Sequence, residues 1–378
     1  MPSFSLPSIF LAGFECSTHR RWDGQRLDLI EATRHDLLCD QDYALITEHG
    51  IYGARDGFRW HLIERERGRY DWSSVLPMLQ AARRRGVRVI WDLCHYGYPD
   101  WLDLWSEDAP LHFARFCHEA VRVIREESGQ APAICPVNEM SFWAWLGGTE
   151  GKMNPYAFGR GGELKRQLVR MSLAGVDAAK AADPATVAFC AEPLIKIIPD
   201  SNDESDIRAA EAYHESQFEA VDLLLGRREP ELGGHEGAVD VIGVNFYPHN
   251  QWRLRGGFVP LGHHDYMPLS ELLGAVAQRY GKPVLIAETG AEHSARASWL
   301  SYVGSEVRAA MTAGVPVTGI CLYPITDYRG WDNDRICQVG LFCNGDEEGW
   351  RTVYMPLLQE LYRQQALFAH TGAARRRA

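Results

Sequence analysis

Apolar residues along this chain fall into two alternating kinds of segment. One kind is a short apolar run rich in Val, Ile and aromatic residues; the other repeats apolar positions three and four apart between polar ones. Strands are predicted over Ile9–Glu15, Tyr52–His61, Val87–Tyr96, Ala133–Met140, Thr186–Pro193, Val239–Asn250, Lys282–Gly290 and Val317–Thr326. The helical segments that follow them are Arg34–His49, Ser74–Gly86, Leu111–Gly129, Lys165–Asp183, Ser205–Gly226, Pro268–Gly281, Ala297–Gly314 and Thr352–Gln365. Gly129 closes one of these helices, and Ser205 is the expected N-cap of another. Eight βα units in this order predict a single (β/α)8 TIM barrel. No linker or low-complexity break interrupts the pattern, so residues 1–370 form one domain, and 371–378, with its run of arginines, reads as a disordered basic tail. The length beyond the roughly 250 residues of a plain barrel lies in loops after strands, at Cys16–Thr33, Trp143–Glu163, Gln251–Met267 and Asp327–Arg351. These loops extend the C-terminal face of the strands, where barrel enzymes build their active sites.

Two of the apolar runs break off at a glutamate. They are Pro136-Val137-Asn138-Glu139-Met140 and Val284-Leu285-Ile286-Ala287-Glu288-Thr289-Gly290. Each carboxylate is thereby placed at the C-terminal end of a strand, on strands four and seven, from which the two can converge on one bond. A pair of carboxyl groups with different pKa values is the minimum equipment for breaking a glycosidic bond. Asn138 stands where it can hydrogen-bond a sugar hydroxyl beside the reacting carbon, or else satisfy backbone groups at the strand end. The 12 Trp and 15 Tyr offer rings on which a sugar can stack, although aromatic residues also pack a core.

Composition narrows the remaining choices. A formal net charge of −11 argues against a nucleic-acid partner. The nine cysteines are scattered and never spaced as C-x-x-C, which fits free thiols in a reducing compartment better than disulfides or zinc. No apolar run is long enough to span a membrane, so a membrane partner is not expected and the cytoplasm is the expected location. No phosphate loop or dinucleotide glycine fingerprint stands out, and no His-x-His follows the first strand, so neither a cofactor nor a metal is expected. The expected partner is a small carbohydrate or glycoside, with the oligomeric state left open.

Several segments together resemble glycoside hydrolase family 1, in the clan of barrel glycosidases with acids on strands four and seven. Gly57-Phe58-Arg59-Trp60 is similar to the family's strand-two motif, and Leu93-Cys94-His95-Tyr96-Gly97-Tyr98-Pro99 to its strand-three motif. Pro136-Val137-Asn138-Glu139 resembles the acid/base motif, with Met140 in place of proline. Gly243-Val244-Asn245-Phe246-Tyr247 resembles the strand-six motif, and Ala287-Glu288-Thr289-Gly290 the nucleophile motif, with Thr289 in place of asparagine. The segment from Tyr323 to Trp331 follows the tryptophan-rich stretch after strand eight. The resemblance implies a retaining mechanism in which Glu288 attacks and Glu139 acts first as acid and then as base. It implies that Arg59 and Tyr247 hold Glu288 ionised, and that His95, Asn245, Tyr323 and Trp331 bind substrate. Two departures leave the sugar open: the sugar-binding glutamine after strand one falls near His19 or Arg20, and the glutamate expected before Trp331 is Gly330.

A third strand-end acid, Glu192, lacks a preceding asparagine and reads as an ion-pair or loop-positioning residue. Trp143 and Trp145 either line the pocket or pack the loop after strand four. Asp327, Asp332 and Asp334 form an acidic loop, read as solvated. The main expectation is a retaining β-glycosidase acting on a small glycoside. A transglycosylase using the same glutamates shares its first half-reaction, and a catalytically silent carbohydrate-binding barrel is the alternative outside enzymology.

Overall fold

A computed structural model of the protein describes residues 6–333, 335–345 and 349–375, with side chains to residue 370. Eight parallel strands close into a barrel: β1 (Phe10–Gly13), β2 (Gly53–Gly57), β3 (Arg88–Cys94), β4 (Ala133–Val137), β5 (Val187–Pro193), β6 (Val241–Asn245), β7 (Val284–Thr289) and β8 (Val317–Leu322). Each strand pairs with the next in sequence, and β8 closes on β1 through Phe10–Ile320, Leu11–Cys321 and Ala12–Leu322. The helices that return the chain are α1 (His35–Glu48), α2 (Leu76–Arg85), α3 (Ala109–Ser128), α4 (Gly161–Ala182), α5 (Glu204–Glu215), α6 (Leu269–Tyr280), α7 (Ala295–Thr312) and α8 (Met355–Arg375). This is the expected (β/α)8 architecture.

Strand periodicity divides the core into two layers. Leu11, Ile90, Cys135, Phe189, Val241, Leu285, Ala287 and Cys321 fill the barrel lumen, while alternate residues pack outward beneath the helices. The helices meet that outer layer with one apolar face. In α3, Phe113, Phe116, Cys117, Ala120, Val121 and Ile124 are buried at helical spacing, and Gly129 ends the helix at φ 68°.

The differences from expectation lie at the ends of elements, where pattern says least. Strand two stops at Gly57, and Trp60–Ile63 is a short helix. A Cβ at Gly57 would meet Cys16 Sγ at 2.6 Å, so glycine there admits the close approach of the segment after β1. Strand six stops at Asn245; Gln251–Arg253 pairs instead with Lys196–Ile198 above the barrel. α5 begins at Glu204, so Ser205 lies inside its first turn rather than at the cap. The segment expected to be a basic tail continues α8 as far as Arg375, and 376–378 lie outside the described residues, as do Asp334 and 346–348. No helix among the described residues is long and apolar enough to cross a membrane. The nine cysteines are all unpaired, and eight of them are buried.

Alternation along β2 also creates a buried ionic chain between barrel and helices. Arg55 faces the lumen, whereas Asp56 faces outward and accepts from His35 Nε2 at 2.8 Å and Tyr43 Oη at 2.6 Å. His35 Nδ1 lies 2.7 Å from Asp42, which accepts two bonds from Arg351. Burial alone would lower the His35 pKa, but the charges and hydrogen bonds of Asp56 and Asp42 outweigh it and lift the imidazole from 6.5 to about 9. A folded-state pKa above the unfolded one stabilises most at low pH. The His35 contribution is therefore full below pH 6.5 and is lost as pH rises through about 9. Thermal or urea unfolding across this window should show wild type losing on the order of 3 kcal/mol relative to His35→Gln. Equal pH slopes in the two proteins would refute a charged His35.

Candidate active site

Four of the residues expected at the site come from the ends of β4, β6 and β7, and the structure joins them. The lumen alternation of Leu285 and Ala287 would turn Glu288 outward. The pairing register of β7 slips on both sides at this point, against β6 between Val244 and Asn245 and against β8 between Ile320 and Leu322. That irregularity re-aims Glu288 into the barrel mouth, as bulges beside functional sites do. Glu139 is redirected by another device: it sits at φ 40°, ψ 59°, a left-handed conformation that costs a non-glycine residue about 1–2 kcal/mol. Asn138 N–H on the Cys94 carbonyl (3.0 Å) and Glu139 N–H on the Ala191 carbonyl (2.9 Å) pin this turn to both neighbouring strands.

A continuous hydrogen-bond path links the two glutamates. Tyr96 Oη donates to Glu139 Oε2 and accepts from Asn138 Nδ2 at 2.9 Å. Arg55 donates to Asn138 Oδ1 at 2.5 Å and to Glu288 Oε1 at 2.6 Å. Tyr247 Oη donates to Glu288 Oε2 at 2.8 Å, and Asn245 Nδ2 to Glu139 Oε1 at 2.8 Å. The remaining edge of Arg55 lies on Asp92, at 3.0 and 2.7 Å. Thus Tyr247 stands where the sequence motif implied, and Asn245 contacts Glu139 directly.

The arginine on Glu288 is Arg55, not Arg59. Because β2 ends at Gly57, Arg59 falls beyond the strand and leaves the lumen. It pairs instead with Asp28 (3.3 Å) and Asp36 (3.2 Å) in the segments after β1. The overlong strand prediction, Tyr52–His61, hid this distinction. The available signal was Arg55-Asp56, two adjacent charges inside an apolar barrel strand, each of which needs a buried partner.

His95 and Asn138 are more heavily engaged by the protein than expected. His95 Nδ1 lies 2.8 Å from Asp92 Oδ2, and Asn138 donates to His95 Nε2 at 3.0 Å. Both amide hydrogens of Asn138 are therefore used, on His95 and Tyr96. Tyr323 lies in the lumen, with its ring parallel to His95 and the Arg55 guanidinium 5.4 Å from its centroid. A Cβ on Gly13 would strike the Tyr323 ring at 2.1 Å, so glycine admits it. Trp331 stands over the mouth, its ring centroid 4.5 Å from His19 and 5.8 Å from Tyr96. Trp331 Nε1, His19 Nδ1 and Asn245 Oδ1 are buried polar atoms without a hydrogen-bond partner among the described residues. Burial lowers the His19 pKa to about 3, so this ring enters the mouth uncharged.

The other candidates resolve into structural roles. Glu192 accepts from Ser141 N–H at 3.1 Å and anchors the loop after β4. Trp143 is fully buried and donates to the Asn154 carbonyl, whereas Trp145 is exposed. Asp327 accepts from Gly340 N–H and faces Arg296 at 3.7 Å. Cys16, Asp92 and His95 bring possible metal-ligating atoms within 4.8 Å of one another, but both Asp92 oxygens are already bonded by Arg55.

The electrostatics separate the two acids. Burial first, and the nearby Glu288 charge second, raise the Glu139 pKa well above the carboxylate range, so it holds a proton near neutral pH. Glu288 receives a guanidinium and a phenol instead. The arrangement offers a proton donor and a second carboxyl group bound by a guanidinium, both at one barrel mouth.

The fold is similar to that of a family 1 β-glucosidase from Thermotoga maritima, at a TM-score of 0.77 and 16% identity. The β-glucosidase from Thermotoga maritima in complex with glucoimidazole matches at a TM-score of 0.78 and 16% identity, over 97% of this chain and 98% of that one. The AHE enzyme from Alicyclobacillus herbarius matches at 0.77 and 19%, over 98% and 99%. No protein-family model matches the sequence, and no curated protein does.

Removing Arg55 leaves Asp92 and Glu288 buried without their cation. Arg55→Met should cost about 3–5 kcal/mol of stability, whereas Arg59→Met should cost less, because its partners Asp28 and Asp36 keep 11% and 20% side-chain exposure. Urea unfolding of both variants checks the order, and a reversed order would place the buried cation elsewhere.

Proposed function

We propose that the protein is a retaining β-glycosidase acting on a small glycoside. The observation that carries this reading is the pairing of a protonated, desolvated Glu139 with a Glu288 held by Arg55 and Tyr247 in one barrel mouth. The printed names of its structural neighbours, β-glucosidases bound to glucoimidazole and to deoxynojirimycin, support a carbohydrate substrate.

In the first step a Glu288 oxygen attacks the anomeric carbon as Glu139 passes its proton to the glycosidic oxygen, and the C–O bond to the leaving group breaks. The product is a glycosyl ester on Glu288 and a free alcohol. In the second step Glu139, now a carboxylate, takes a proton from water. The water oxygen bonds to the anomeric carbon, and Glu288 is released. A sugar or alcohol in place of water gives transfer by the same chemistry. Tyr247 and Arg55 orient Glu288, while Tyr96 and Asn245 orient Glu139. Trp331 and His19 present to the bound ring polar atoms that have no partner among the described residues.

Activity toward aryl β-glycosides should fall by orders of magnitude in Glu288→Gln. In Glu139→Gln it should fall by about 10²–10⁴-fold for poor leaving groups and much less for good ones, which depart without a proton. Wild-type kcat/KM should decline as pH rises through the Glu139 pKa, since the acid is then lost; because that pKa is raised, the decline should lie well above the usual carboxylate range. Glu139→Gln should remove this alkaline limb. Proton NMR of the first-formed sugar distinguishes stereochemistry: the β anomer is expected, and an α anomer would sink the retaining assignment. Turnover that survives Glu288→Gln would remove Glu288 as nucleophile.

A further inference from the structure

A third carboxylate, Glu15, lies in the same barrel mouth and has no part in the steps above. It follows β1 by two residues and is only 5% exposed. Its position is tightly set. Phe14 N–H bonds the Arg55 carbonyl at 2.9 Å, and Cys16 Sγ lies 3.1 Å from His95 Nδ1. Ser17 donates to Glu15 Oε1 twice, from its backbone N–H at 3.1 Å and from its hydroxyl. Oε2 has no hydrogen-bond partner among the described residues, and no Lys, Arg or His there forms an ion pair with Glu15. Arg55, the nearby cation, is spent on Asp92, Glu288 and Asn138.

Glu15 interacts electrostatically with Glu288, His95, Tyr96, Tyr247, Tyr323 and Tyr328, which surround the mouth. Around the barrel, β1 stands two strands from β7 and three from β4. Glu15 therefore lies nearer Glu288 than Glu139. Glu139 meets the leaving oxygen, so a group on the Glu288 side meets the sugar that stays on the enzyme. A carboxylate oxygen that no protein group donates to, on a side chain otherwise removed from water, gains from a bound ligand that supplies a donor.

We propose that Glu15 is a specificity-determining residue whose free oxygen takes a hydrogen bond from a donor substituent of the retained sugar, a hydroxyl or an ammonium. This rests on the glycosidase reading. It makes the pocket selective for neutral or amino sugars and hostile to sugars carrying a carboxylate or phosphate at that position, which bring no hydrogen to the Glu15 oxygen.

The test is kcat/KM for wild type, Glu15→Gln and Glu15→Ala on aryl β-glucoside, its monodeoxy analogues, β-glucosaminide, β-glucuronide and 6-phospho-β-glucoside. Glu15→Ala should lose about 10- to 100-fold on the preferred substrate. That loss should collapse on one monodeoxy analogue if the donor is a hydroxyl, or be confined to the glucosaminide if it is an ammonium. Glu15→Gln should narrow the discrimination against the anionic substrates. An equal loss on every substrate, or none, would overturn the proposal, as would wild-type preference for an anionic sugar. If wild type hydrolyses nothing, the catalytic reading fails by itself. Calorimetric titration with deoxynojirimycin then decides on Glu15: affinity that weakens in Glu15→Ala but persists in Glu139→Gln keeps the contact, and unchanged or absent binding overturns it.

Discussion

The Arg55 guanidinium is the group on which the rest of the site depends. It sits fully buried at the mouth of the barrel and binds Asp92, Glu288 and Asn138 at once. A lone cation there would be prohibitively costly, and so would either carboxylate without it. Together they hold four strands in one electrostatic unit, because Arg55 stands on β2, Asp92 on β3, Asn138 after β4 and Glu288 on β7. Asn138 then fixes His95 and Tyr96, and Tyr96 fixes Glu139. The positions of both glutamates are thus traceable to one planar donor fork.

Geometry at the strand ends departs from regular β structure where the glutamates stand. A register slip turns Glu288 inward, and a left-handed backbone at Glu139 turns that side chain across the opening. Tyr96, the residue that holds Glu139, has its own positive φ of 66°. Such conformations persist only where surroundings over-determine them. Here the regular part of the barrel supplies that determination, through backbone bonds from Asn138 and Glu139 to the strands on either side.

The two acids share the barrel mouth but not an environment. Glu139 is buried among neutral donors and close to another negative charge, so it keeps its proton; Glu288 is fastened to a cation. That asymmetry gives a pair of identical side chains different chemistry. The lumen carries little other compensation, because Asp92 already shares Arg55. An additional acid such as Glu15 therefore biases what the cavity accepts.

Much of this was legible in the chain. Alternating apolar runs and helix-period segments determined the number of βα units, since burial of a parallel strand and of one helix face each demand a characteristic spacing. The breaks at Glu139 and Glu288 put two acids at the functional face for the same reason. What the sequence alone left undecided was which neighbouring charge meets which. Arg55 and Arg59 are four residues apart with similar local chemistry, and only the end of β2 at Gly57 sends one into the lumen and the other to Asp28 and Asp36. Tyr96 and Glu15 look like ordinary strand-end residues until closure of the barrel brings β1 and β3 around the same opening. Periodicity acts between near neighbours in sequence and can be read there; the partners of a buried charge come from distant strands, and only the closed barrel brings them together.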